Sequence, residues 1–252
     1  MDELGRVVAA LAGTVVLRYY VMAFLVVFMV LGGRDQGIRR TLGCLVWAVL
    51  VAFTAEFAST RTGVPFGLYQ YTGTTAGREL FIADVPIFDP LSFPFLAYAA
   101  WCLARWSGGR QRGARPLILA GLLMMLLDVV LDPLAVRGDR WFLGRVFYYP
   151  AEGDYFGVPL GNFAGWALVG WAIVGGYALL ARGRALGSPR AGVCLYYAII
   201  VFGLGMTMWI GEFALAGMGI LLHALAFLVL WTGLARARAR TAKTTFTYER
   251  TS

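Results

Sequence analysis

Apolar residues run through this chain in blocks of about twenty, separated by short polar stretches, and nowhere do they settle into the period-two alternation of a half-buried strand. The blocks at 7–32, 38–59, 88–106, 117–135, 160–181, 192–213 and 217–235 predict seven helices. A helix crossing the ~30 Å hydrocarbon layer needs about 20 mostly apolar residues, so each block reads as a transmembrane span. Gly32-Gly33, Gly108-Gly109 and Gly187-Ser188-Pro189 mark turns, and the last two helices form a tight hairpin at Glu212 to Gly217. The stretches 60–87 and 136–159 are too long, and too rich in Gly, Pro and Tyr, to be plain connectors. Function is to be sought in those two loops.

Composition sharpens this into an all-α, polytopic transmembrane bundle. The chain is 60% hydrophobic and 14% charged, far below the roughly 25% charged residues of a soluble domain, so its excess apolar surface needs lipid. Residues 1–235 form one transmembrane domain, followed by a basic tail at 236–252. Of the basic residues, fifteen lie in one set of connections and the tail, and six in the opposite set. The positive-inside rule makes the richer set cytoplasmic, with the N-terminus outside and the C-terminus inside a cell membrane crossed several times. The net charge of +8 is thereby explained by topology, since the arginines flank apolar runs and form no basic helix face for nucleic acid. Asp2 and Glu3 precede a first apolar block too long for a signal peptide, which reads as a retained segment. Cys44, Cys102 and Cys194 are widely spaced within or beside apolar runs and read as core packing.

Twelve of the fourteen acids fall on the face opposite the arginines. Glu79, Asp139, Glu152 and Asp154 read as solvated loop charges. Glu56, Asp128, Asp132 and Glu212 lie within helices, where a charge costs at least ~2.5–3.5 kcal/mol and marks a functional site. Asp128 and Asp132 are four apart and share a helix face. Two carboxylates in one low-dielectric site leave a proton available at neutral pH; an ion pair with Arg18, or a cap near Pro133, is the structural alternative. Arg18, in the middle of the first block, needs a carboxylate partner, for which Asp128 is the candidate. His223, the one histidine, reads as a hydrogen-bonded core residue, and a single imidazole excludes a histidine-built metal site.

Two loop segments repeat a pattern: Gly63-Val-Pro-Phe-Gly67-Leu-Tyr69-Gln-Tyr71, and Gly157-Val-Pro-Leu-Gly-Asn162-Phe163-Ala-Gly-Trp166. Their glycines and prolines set sharp turns, and their aromatic residues either anchor at the interface or line a pocket. Together with Glu56 and the Asp128…Asp132-Pro133 helix end, these blocks resemble the CruF-type carotenoid 1′,2′-hydratases, a group that includes the bisanhydrobacterioruberin hydratases. The resemblance covers about residues 40 to 230. It implies addition of water to the C1′–C2′ double bond of an acyclic (ψ) carotenoid end, by a hydro-lyase without a redox cofactor; one histidine and no glycine-rich nucleotide motif make a metal, flavin or nicotinamide unexpected as well. Membrane lipid and other carotenoid-pathway enzymes are its expected partners.

Hydrating a trisubstituted alkene needs an acid to protonate C2′, a pocket tolerant of the tertiary cation at C1′, and a positioned water with a base. Asp128 or Asp132 is the expected donor, and Glu56 or Glu212 the group that binds and deprotonates water. Asn162, Tyr69 and Tyr71 would orient that water, with Phe163, Trp166 and Trp209 around the substrate. A ψ-end cyclase would use the same acid and quench the cation with an internal double bond. A carotenoid or lipid carrier would need no clustered acids. A retinal protein is excluded because the one lysine, Lys243, lies in the tail, and a Mg²⁺-dependent prenyltransferase lacks its second aspartate-rich motif.

Overall fold

The computed structural model describes residues 3–108, 113–182 and 186–251. Each apolar block folds as helix: α1 (Glu3–Leu17), α2 (Tyr19–Gln36), α3 (Ile38–Thr62), α4 (Phe93–Gly108), α5 (Ala114–Val136), α6 (Leu160–Leu180), α7 (Arg190–Trp209) and α8 (Phe213–Thr251). Five of them, α3 and α5 to α8, are long and apolar enough to cross a membrane, and α1 with α2 qualifies only as a bent pair. In α4, by contrast, the residues from Phe93 to Ala104 are almost all buried. It is apolar all round because it is the central helix, ringed by protein.

The expected continuous helix at 7–32 does not form. Its chain leaves helical geometry at Arg18 (φ −116°, ψ 33°), and α1 meets α2 at 87°. The guanidinium explains the break, since a charge at mid-helix must find acceptors. Arg18 is 1% exposed; its Nε and Nη2 donate to Glu79 at 2.9 and 2.6 Å, and its Nη1 to the Leu143 carbonyl at 2.7 Å. The partner is therefore Glu79, not Asp128, and Glu79 is a buried counter-ion instead of a solvated loop charge.

Two further expectations are corrected. Gly32 and Gly33 lie inside α2; the turn comes at Gly37, whose φ of 89° favours glycine. Gly32 instead lets Thr41 of α3 approach, as a Cβ there would sit 2.8 Å from the threonine methyl. Cys194 is exposed, while Cys44 and Cys102 are buried. The hairpin between α7 and α8 turns at Gly211 (φ 80°), and α8 starts at Phe213 and runs on through the Ala- and Arg-rich tail, a composition of high helix propensity.

Close packing of α5 on α6 positions the acids. Gly121 of α5 faces Trp171, and a Cβ on Gly170 of α6 would lie 3.1 Å from the Gly121 Cα. Small residues at such crossings let helix backbones approach within membranes. At the opposite end of the bundle Arg105 and Asp35 form a second buried pair at 2.7 Å, with Arg105 also donating to the Gly187 carbonyl at 2.8 Å.

The two long loops meet. A two-residue strand, β1 (Gln70–Tyr71), pairs antiparallel with a second from the other loop (Phe147–Tyr148). The chain segments that sequence marked as functional are thus hydrogen-bonded to each other above α3, α5 and α6.

Candidate active site

The site grows from the end of α3. Gly63 closes that helix in left-handed conformation (φ 79°), its N–H donating to the Ser59 carbonyl at 2.9 Å. The chain then doubles back, and the Phe66 N–H donates to Ser59 Oγ at 3.0 Å. This turn lies directly on α6: a Cβ at Gly165 would sit 2.4 Å from the Pro65 carbonyl oxygen. Phe66 then packs on Trp166, which stacks on Phe93 with ring centroids 4.5 Å apart. The two Gly-Val-Pro blocks are therefore parts of one aromatic floor.

Above that floor stand four carboxylates. Asn162, 1% exposed, donates from Nδ2 to Asp128 Oδ2 at 2.7 Å and to Asp132 Oδ2 at 2.8 Å. Its amide has two N–H bonds and spends one on each. Asp132 also accepts from the Tyr149 hydroxyl at 3.1 Å. Tyr71 reaches Asp89 Oδ2 at 2.7 Å and Glu56 Oε2 at 3.2 Å, with the Tyr69 hydroxyl 3.4 Å away. One phenol owns one proton, so when both carboxylate contacts are made a second proton must be shared in that trio. Burial, and the charges of Asp89 and Glu56, hold the Tyr71 hydroxyl far above its ordinary range, so it stays a donor. Among the described residues, no arginine or lysine hydrogen-bonds to Glu56, Asp89, Asp128 or Asp132. Asp128 Oδ1, Asn162 Oδ1 and Glu56 Oε1 are buried without a protein partner, the arrangement of groups meant for something other than the fold.

Two cavities share this cluster. An apolar one of about 120 Å³ is walled by aromatic rings from α2, α4 and α7, among them Tyr20, Phe24, Phe95 and Phe202, and reaches Asp89, Asp128 and Asp132. A smaller chamber of about 30 Å³, room for about one water, is lined by Glu56, Tyr69, Tyr149 and Asn162 among others. Asp89, Asp132, Phe147 and Trp166 line both, and so form the wall between a greasy compartment and a polar one.

Of the residues singled out in the sequence, Glu56, Asp128, Asp132, Tyr69, Tyr71, Asn162 and Trp166 converge here. Three do not. Glu212 is held at the α7–α8 hairpin by Arg140 and by Arg137 at 3.2 Å, because two loop guanidiniums there satisfy its charge. Trp209 is 69% exposed on the outside of α7, and Phe163 packs edge-on to Tyr155, with centroids 5.2 Å apart and outside both cavities. His223 is a core residue whose Nδ1 lies 3.0 Å from the Gly219 carbonyl.

Asp89 and Tyr149 were missed. Asp89 was expected at the start of the helix over 88–106, but α4 begins only at Phe93 and leaves Asp89 in the loop before it; its signal was its place in an otherwise apolar segment, Val85 to Pro94. No three His, Cys, Asp or Glu side chains among the described residues converge at metal-ligand spacing.

Fold and site together define a helical membrane protein with a lipophilic, aromatic-walled cavity that ends on a cluster of carboxylic acids. The chain belongs to the carotenoid biosynthesis protein family, which matches it over residues 5–226. It is similar to the bisanhydrobacterioruberin hydratase of Haloarcula japonica, with 34% identity over 134 residues. That match takes in 52% of this chain and 43% of the relative, so the chain spans less than half the length of the curated protein it matches. No solved structure matches it.

Proposed function

We propose that this protein is a carotenoid 1′,2′-hydratase, a cofactor-independent hydro-lyase that adds water to the C1′–C2′ double bond of an acyclic (ψ) end group. One observation carries the reading: the acids sit where an apolar cavity meets a polar chamber, which is where an alkene from the bilayer and a water must meet. Family membership and the hydratase relative support it.

In this reading the end group enters the apolar cavity. The Asp128–Asp132 pair, held by Asn162, gives a proton to C2′. The cation at C1′ faces Phe147 and Trp166, whose rings each stabilise it by about 0.5–2 kcal/mol when water is excluded. Water from the chamber closes the C1′–O bond and releases a proton to a chamber carboxylate. Alkene and water give a tertiary alcohol, and nothing is oxidised or reduced.

Expression in cells that accumulate lycopene or an elongated acyclic carotenoid is expected to yield pigment heavier by one water. An isomeric pigment would assign the protein to the cyclases, which protonate the same end but quench with an internal double bond, and unchanged pigment would leave a carrier. The polar chamber behind the acids favours the hydratase.

The proposed orientation in the cell membrane has α2 to α8 crossing seven times, α1 along the outer interface, the carboxylate site near the outer face and the tail inside. A topology reporter inserted at residues 109–112 is expected on the cytoplasmic side, and its appearance outside would reverse the assignment.

A further inference from the structure

Hydration needs a base as well as an acid, and the sequence offered Glu56 and Glu212 for it. The hairpin arginines occupy Glu212. Glu56 is 2% exposed and lines only the polar chamber, with the Tyr71 hydroxyl donating to its Oε2 at 3.2 Å. It is not among the residues that line the apolar cavity. Asp89 lines both cavities, keeps part of its surface open to them, and has Oδ2 fixed by the Tyr71 hydroxyl at 2.7 Å.

Resting on the hydratase reading, we propose that Asp89 is the catalytic base that holds the attacking water against C1′ and takes its proton, while Tyr71 and Glu56 position it. As the water oxygen forms its bond to C1′, one O–H bond breaks and the proton passes to the Asp89 carboxylate. Asp132 has by then given its proton to C2′. Both carboxylates line the same two cavities, so a water between them returns the proton from Asp89 to Asp132 and resets the site with no electrons exchanged.

The surroundings of Asp89 suit this task. It faces Tyr71 from β1, Glu56 from α3, Asp132 from α5, and Arg18, Tyr20 and Glu79 from the helix break and its loop. Burial pushes its carboxyl from 3.8 up to about 6, offset in part by the Tyr71 hydrogen bond and the Arg18 charge. A base of that strength is ionised at neutral pH and still a useful proton acceptor.

Two measurements on the full-length protein in membranes, with lycopene as substrate, test the assignment. In the wild type, kcat/KM is expected to fall about tenfold per pH unit below about 6, because the base form is lost as pH drops; a flat profile down to pH 5 would overturn it. In deuterated water, Asp89→Asn is expected to lose about 10²–10³-fold in hydration while still washing deuterium into C2′ of recovered lycopene, since protonation survives and only water capture fails. Asp132→Asn is expected to lose both. Hydration by Asp89→Asn at the wild-type rate, or loss of deuterium exchange together with hydration in folded protein, would remove Asp89 from the role. Wild-type protein that hydrates neither lycopene nor an elongated acyclic carotenoid would instead sink the hydratase reading itself.

Discussion

Asp132→Asn is expected to lower hydration by about 10³-fold or more, equivalent to about 4 kcal/mol of transition-state stabilisation, in a protein that still folds and binds carotenoid. An amide has the shape of the carboxylic acid and can still meet Asn162 and Tyr149, but it cannot deliver a proton to C2′. Asp128→Asn is expected to lose about 10²-fold. Its own carboxyl is buried at 0% exposure, and its partner loses the neighbouring charge with which it shares a proton. Initial rates in membranes, with protein quantified separately, check both. In the wild type, solvent deuterium should appear at C2′ of every hydrated product, because protonation there creates the cation. Aspartate variants that hydrate normally would move the acid elsewhere, and equal losses of protein and activity would make the pair structural.

The second large effect concerns the helix break. Removing one partner of a buried ion pair leaves an uncompensated charge and costs about 3–5 kcal/mol, whereas replacing both by apolar residues costs far less. Arg18→Ala or Glu79→Gln is accordingly expected to lower the unfolding temperature in detergent steeply, and Arg18→Met with Glu79→Met to recover most of the loss. The Arg18 guanidinium also lies 4.1 Å from the Phe88 ring and holds the Leu143 carbonyl. Both residues line the apolar cavity, so the single variants should lose activity even at temperatures where they remain folded. Single variants as stable as the wild type would show that other contacts hold α1 against its loop.

Part of this was legible from residue order because the physics is local. About twenty apolar residues in a row can only be a lipid-compatible helix or a buried one, and Asp128 and Asp132 four apart must share a face. The paired Gly-Val-Pro blocks were readable as sharp turns for the same reason, since backbone freedom is a property of the residue itself. Carboxylates placed in apolar helices announced a site before any fold was known, because nothing but function or a counter-ion holds a charge there.

What residue order left open was pairing. Arg18 demanded a carboxylate, and on paper that partner was Asp128, while Glu79 read as a solvated loop charge. Only the 87° break of the first helix brings the loop acid to it and leaves Asp128 without a cation. Glu212 looked like its intramembrane peers until Arg137 and Arg140 came to meet it from another loop. Asp89, at the start of the helix expected over 88–106, had no assigned role until β1 placed Tyr71 on it and α5 brought Asp132 to the same cavity. The acids were written in the sequence, but the ones that face substrate were chosen by the packing of α3, α5 and the two long loops, because a charge is governed by neighbours far away in the chain, whereas a helix or a turn is governed by residues three or four positions away.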